Sequence, residues 1–145
     1  MIALLQRVSS ASVEISGNTV GKIKNGMLVF LAVQKHDTQT TTNQMLQRIL
    51  NYRMFADEKG KMNKNIKEIK GGILLVPQFT LAADTKKGLR PNFSSAATPD
   101  HGKQLFDYFL DKLKAEYATV SSGKFGANMQ VQLVNNGPVT FWLEI

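Results

Sequence analysis

Residues 27–33, Met-Leu-Val-Phe-Leu-Ala-Val, are apolar at every position. A strand with one face in water alternates apolar and polar residues, so an unbroken apolar run has both faces covered. Seven residues are also far too few for a membrane span, which takes about twenty. The run therefore reads as a strand inside a sheet with a further layer packed on it.

The flanking sequence supplies the rest of that arrangement. Segments 2–8, 11–15 and 19–24 read as strands, separated by Ser16-Gly17-Asn18 and Asn25-Gly26. Ser12-Val13-Glu14-Ile15 alternates as a half-buried strand should. A helix is predicted over 38–54, where Met45, Leu46, Ile49 and Leu50 fall on one face. A turn at Asp57-Glu58-Lys59-Gly60 precedes Lys61, Lys64, Lys67 and Lys70, and this stretch reads as a solvated loop. Residues 73–79 form another nearly apolar strand, in which Pro77 suggests an edge or a bulge because proline donates no ladder hydrogen bond. Residues 80–95 lose all periodicity and read as a long ordered loop. Thr98-Pro99-Asp100 is a helix start with Thr98 as N-cap. The stripe Leu105, Phe106, Phe109, Leu110, Leu113 and Tyr117 then faces the sheet. Two last strands, 130–134 and 139–145, are joined by Asn135-Asn136-Gly137-Pro138. The expectation is one α/β domain over residues 1–145, with layered, barrel-like sheets and two main helices packed on one side. A chain of 145 residues buries about 68% of its unfolded surface, enough for a core without staples.

Composition narrows the chemistry. There is no cysteine, hence no thiol nucleophile, redox pair or disulfide framework. The first residues show neither a basic segment nor a long apolar one, so a soluble, unprocessed, cytoplasmic protein is expected. Lys and Arg outnumber Asp and Glu by 18 to 11, a net charge of +7 that favours polyanions without specifying one. Apart from their immediate chain neighbours Asp37 and Asp100, His36 and His101 have no obvious carboxylate partner in sequence, which argues against a Ser-His-Asp triad. No metal-ligand spacing or phosphate loop is present, and neither metal nor cofactor is expected.

Two segments at strand ends break their local pattern. Pro77-Gln78-Phe79-Thr80 brings an amide, a ring and a hydroxyl to the start of the long basic loop. Asn135-Asn136-Gly137-Pro138-Val139-Thr140 holds a Gly-Pro bond that is a candidate for a cis peptide. From the letters alone, an ordinary hairpin turn is the favoured reading of the second segment, and a polar strand end explains the first as well as a functional site does.

These segments, together with Gly88-Leu89-Arg90-Pro91 and Phe93, Gly123-Lys124-Phe125-Gly126-Ala127 and the opening Ile2-Ala3-Leu4-Leu5-Gln6-Arg7-Val8, resemble the bacterial D-aminoacyl-tRNA deacylase family over the whole chain. The resemblance implies a homodimer that hydrolyses the ester between a D-amino acid and the 3′ end of tRNA, without a cofactor. It implies that Gly137-Pro138 is cis and reaches into the partner subunit's active site. There its carbonyls would hold the substrate's α-amino group and exclude L side chains, while glycine passes. Arg7 matches a position supporting that arrangement, and Gln78, Phe79 and Thr80 match the motif lining the ester. Asn135, Phe125 and Met129 are assigned to substrate binding on the same footing. One departure is Pro77, where the family commonly has serine; tolerance is expected if backbone geometry alone matters there.

The residues themselves show no general base, which leaves two mechanisms. Thr80 acts as nucleophile, or the terminal ribose hydroxyl beside the ester helps activate water; the second is favoured because nothing near Thr80 in sequence can activate it. Lys86, Lys87, Arg90 and Lys124 are the candidate phosphate contacts, with Phe79, Phe93 or Phe125 available to stack on the terminal adenine. The competing readings are a non-catalytic basic tRNA-binding homodimer, and a deacylase whose main substrate is mischarged glycyl-tRNA.

Overall fold

The computed structural model describes all residues from Met1 to Ile145. Its elements are β1 (Ile2–Ile15), β2 (Asn18–Ile23), β3 (Gly26–Ala32), α1 (Gln39–Asn51), β4 (Phe55–Ala56), β5 (Met62–Lys64), α2 (Ile66–Ile69), β6 (Gly72–Pro77), α3 (Pro99–Glu116), β7 (Val120–Ser122) and β8 (Gln130–Glu144). The main sheet runs β2-β1-β3-β6-β7, and β8 pairs along the other edge of β1. β3–β6 and β6–β7 are parallel, and β1 is antiparallel to β2, β3 and β8. The ends curl toward one another: the Ser121 hydroxyl of β7 donates to the Lys22 carbonyl of β2 at 3.1 Å. The sheet is thus a nearly closed barrel with helices on its outside, as the apolar patterning predicts.

The apolar run in β3 is explained by two cores, one on each face. Met27, Val29, Leu31 and Val33 join the core beneath the helices, with Met45, Leu46, Ile49 and Leu50 of α1 and Leu105, Phe106, Phe109 and Leu113 of α3. Leu28 points into the barrel, with Val8, Ala11, Val13, Ile23, Leu74 and Val76. β6 divides likewise, Ile73 and Leu75 going to the first core and Leu74 and Val76 to the second. No helix is long and apolar enough to cross a membrane.

Several boundaries differ from expectation. Residues 2–15 form one strand instead of two; exposed Ser9 and Ser10 mark where its partner on one side changes from β3 to β2. Helix α1 ends at Asn51, with Thr38 as N-cap and Tyr52 as C-cap. Thr98 occupies the N-cap position of α3 but its side chain makes no capping bond. The lysine-rich stretch is ordered, with β5 paired to β4 and α2 capped by Asn65. The loop after β6 opens with a 3-10 turn, Phe79–Ala82. Strand β7 was not expected, and the two last strands are one, β8, because the chain keeps pairing with β1 through shifts of register.

Pro77 lies on neither an edge strand nor a bulge. The Gln78 N–H donates to the Leu31 carbonyl at 2.8 Å and the Ile73 N–H to the Thr119 carbonyl at 2.9 Å, so successive residues of β6 face β3 and β7 alternately. Pro77 faces the β7 side, past the end of that strand at Ser122. No ladder bond is lost there, which is the physical reason proline is accommodated.

Candidate active site

The end of β6 delivers Gln78 and Phe79 to the rim of a cleft of about 570 Å³. Its floor is β-sheet, from Leu31, Val33, Val76, Pro77 and Val131, and its far wall is the start of α3 with Phe125 and Met129. The Phe79 and Phe93 rings meet at 5.1 Å with an angle of 50°, and Phe125 packs on Phe106 at 6.0 Å. Phe125 fits because the helix position it covers is Gly102, where a Cβ would stand 3.3 Å from its Cζ. A glycine within a helix costs about 1 kcal/mol relative to alanine, so its presence in α3 was a readable sign of close approach.

The cleft walls hold 12 hydrophobic residues among 18 and no Asp, Glu, His, Lys or Arg. His101, one residue before Gly102, is turned elsewhere, its Nε2 at 2.9 Å from the Asp37 carbonyl oxygen. No three His, Cys, Asp or Glu side chains are grouped as metal ligands would be. Gln78 Nε2 donates to Thr80 Oγ1. An amide cannot take a proton from that hydroxyl, so Thr80 has no activating base. Thr80 itself is exposed beside the cleft and forms none of its walls. The 3-10 turn that begins at Phe79 has no side-chain cap, and the first N–H groups of such a turn have no partner within it.

The second cluster stands apart. Arg7 on β1 reaches across to the turn in β8, its Nε donating to the Asn136 carbonyl at 2.9 Å and its Nη1 to the Met54 carbonyl at 3.0 Å. Asn135 fixes the same turn from within: Oδ1 accepts the Val139 N–H at 2.8 Å and Nδ2 donates to Thr140 Oγ1 at 3.0 Å. The Gly137–Pro138 peptide is cis. Gly137 has φ +147°, and a Cβ there would lie 2.6 Å from Val139 Cγ2 and 2.8 Å from the Val139 nitrogen. Gly137 and Pro138 are exposed, and none of Arg7, Asn135, Gly137 or Pro138 lines the cleft of its own chain. Gln78, Phe79, Phe125 and Met129 are thus brought together, and the Arg7 cluster forms a separate assembly. The Met54 carbonyl, which no side-chain pattern marks in the sequence, is the member of that assembly which sequence reasoning missed.

The basic loop is closed at its base by mutual backbone bonds, Asp84 N–H to Asn92 oxygen at 2.7 Å and Asn92 N–H to Asp84 oxygen at 3.1 Å. Lys86, Lys87 and Arg90 are exposed on it, around a fully exposed Leu89. Lys124 is exposed next to Phe125, at the cleft.

A family profile described as "D-Tyr-tRNA(Tyr) deacylase" matches residues 4–144. A D-aminoacyl-tRNA deacylase of Pseudomonas putida strain KT2440 is 57% identical over 145 residues, all of both chains. One of Cellvibrio japonicus is 54% identical over 145 residues, covering 100% of this chain and 99% of its own. Among solved structures, a c-Myc DNA unwinding element binding protein superposes with TM-score 0.95 at 39% identity, over 100% of this chain and 99% of its own. A probable eukaryotic D-amino acid tRNA deacylase shares the fold, with TM-score 0.86 at 18% identity, over 99% of this chain and 98% of its own.

Proposed function

The chain belongs to the D-Tyr-tRNA(Tyr) deacylase family and is a D-aminoacyl-tRNA deacylase, and we propose that it works as a homodimer in which each subunit's Gly137–Pro138 turn completes the other's cleft. The observation that carries this reading is the separation of the two clusters. The cleft has no carboxylate to pair with an α-amino group, and the turn whose carbonyls could accept from it stands exposed elsewhere. Bringing two copies together supplies the missing wall. The edge of the sheet favours such pairing: β8 is 15 residues long, pairs only with β1, and leaves Trp142 and Val134 about half exposed. An uncovered strand of that length invites a second chain.

In the completed site the carbonyls of the partner's turn hold the α-amino group. A D side chain then points to open space, an L side chain meets the turn, and glycine passes because it has none. Selection follows from chirality and is nearly blind to side-chain identity. The terminal adenine lies against the rings of Phe79, Phe93 and Phe125, since single-stranded ends are read by stacking together with charge. Lys86, Lys87, Arg90 and Lys124 neutralise the adjoining phosphates. The reaction takes place in the cytoplasm, where aminoacyl-tRNA is found.

The chemistry is carried by water and the substrate. Water adds to the ester carbonyl, the N–H groups at the start of the 3-10 turn receive the oxyanion, and the ribose oxygen leaves with a proton. The neighbouring ribose hydroxyl helps activate that water, because the cleft contains no base. Thr80→Ala is therefore expected to hydrolyse D-aminoacyl-tRNA in single turnover within about tenfold of wild type, far less than the loss that removal of a covalent nucleophile brings. A loss of several orders of magnitude would make Thr80 the nucleophile and end the substrate-assisted account.

A further inference from the structure

The reaction leaves one basic part of the molecule without a task. Residues 53–70 carry six cations, Arg53, Lys59, Lys61, Lys64, Lys67 and Lys70, against Asp57, Glu58 and Glu68. Charge runs of this kind are ordinarily just solvated, but here each acid is engaged within the segment itself. The Asp57 carboxylate accepts the N–H groups of Lys59 and Lys61 at 2.9 Å each and the Asn63 amide at 2.8 Å. Glu58 pairs with Lys64, and Glu68 accepts the Asn65 N–H at 2.7 Å. The Asn63 amide, followed by the Lys61 N–H, holds the Asp57 carboxyl below its ordinary range, and the Lys64 ammonium does the same for Glu58. Lys59, Lys61, Lys67 and Lys70 are exposed and take part in no ion pair.

The segment is also held in shape. Asp57 closes the β4–β5 turn, Asn65 caps α2 by accepting from Lys67 and Glu68, and Lys70 ends that helix in a left-handed conformation with φ 51°. Its place matters most. Met54, whose carbonyl accepts from Arg7, immediately precedes β4, and the same guanidinium holds Asn136. The lysine-bearing segment therefore leaves from the side of the subunit that carries Gly137–Pro138.

We propose that Lys59, Lys61, Lys67 and Lys70 form a phosphate-binding surface for the sugar-phosphate backbone of tRNA. The inference rests on the dimeric reading above: the turn beside this segment enters the partner's cleft, so RNA leaving that cleft passes the lysines. Point charges on flexible stems contact phosphates and read no base edges, so the surface adds affinity common to all tRNAs. It lies apart from the loop that carries Lys86, Lys87 and Arg90, which serves the 3′ end.

The test compares D-aminoacyl-tRNA with D-aminoacyl-adenosine, which is too short to reach the segment. In a variant carrying Lys59→Ala, Lys61→Ala, Lys67→Ala and Lys70→Ala, kcat/KM for the tRNA should fall about tenfold or more at 0.1 M salt. The slope of log kcat/KM against log salt should become shallower by roughly three, about 0.7–0.9 for each of the four lysines lost. Hydrolysis of D-aminoacyl-adenosine should stay within about twofold of wild type, and so should tRNA hydrolysis by a variant with Lys103→Ala, Lys112→Ala and Lys114→Ala on α3. An unchanged salt slope, equal losses on both substrates, or an equal effect of the α3 variant would overturn the proposal. Wild-type protein that cleaves neither substrate would instead overturn the deacylase reading on which it rests.

Discussion

Arg7→Ala should lower kcat/KM for D-aminoacyl-tRNA by about a hundredfold or more while the chain still folds. The guanidinium bridges two carbonyls on different elements, that of Asn136 in the β8 turn and that of Met54 before β4. Hydrogen bonds from a charged donor contribute roughly 1.5–3 kcal/mol each, and here they fix where the turn's own carbonyls point. A misplacement of about 1 Å in a positioning group is enough to cost about a hundredfold. Arg7→Lys should recover little of the loss, because a single ammonium cannot reproduce a planar fork across two acceptors. Single-turnover hydrolysis beside a thermal melt separates this effect from unfolding. A variant with the wild-type rate would show that Asn135 alone holds the turn in place.

The largest effect on stability is expected at Asp37, which lines no part of the cleft. The amino group of Met1 is buried and donates to Asp37 Oδ1 at 2.7 Å, Gln34 Oε1 at 2.7 Å and the Ile145 carbonyl at 2.8 Å. Asp37 Oδ2 also accepts the Gln34 N–H at 2.7 Å, and the residue is only 6% exposed. Asp37→Ala leaves a buried ammonium without its counter-charge, a change that costs about 3–5 kcal/mol. Against a total stability of about 5–15 kcal/mol, that should lower Tm by roughly 10–15 °C. Denaturant unfolding of wild type and variant measures it, and a difference below about 1 kcal/mol would mean that water takes over the role of the carboxylate.

Much of this architecture was legible because burial leaves a periodic trace. The continuous apolar run of β3 announced two covered faces, and the stripes of α1 and α3 announced what covers one of them. Where tertiary contacts override local preference the trace fails. Asn135-Asn136-Gly137-Pro138 is rich in turn residues, yet the chain returns to the same partner strand, pairing with β1 up to Asn135 and again from Thr140, because Asn135 satisfies Val139 and Thr140 while Arg7 holds Asn136 from another strand. Strand β7 is only Val120-Ser121-Ser122, too short and polar to stand out, and it exists because β6 offers it a parallel partner. Pro77 misled in the same way, since whether proline breaks a ladder depends on which neighbour its missing N–H would face. At the site, Gln78 and Phe79 were visible as a break in pattern at a strand end. That the Gly137–Pro138 turn stands outside its own chain's cleft follows from no local pattern; in the sequence only the family resemblance pointed to it, and the folded chain has the turn outside the cleft.

The most direct measurement is hydrolysis of D-, L- and glycyl-aminoacyl-tRNA, matched in tRNA, by the purified protein. The account predicts rapid release from the D-form and from the glycyl-form, with the L-form left intact. Cleavage of the L-form at a comparable rate would contradict selection by the turn, and cleavage of none of the three while tRNA still binds would contradict the catalytic reading itself.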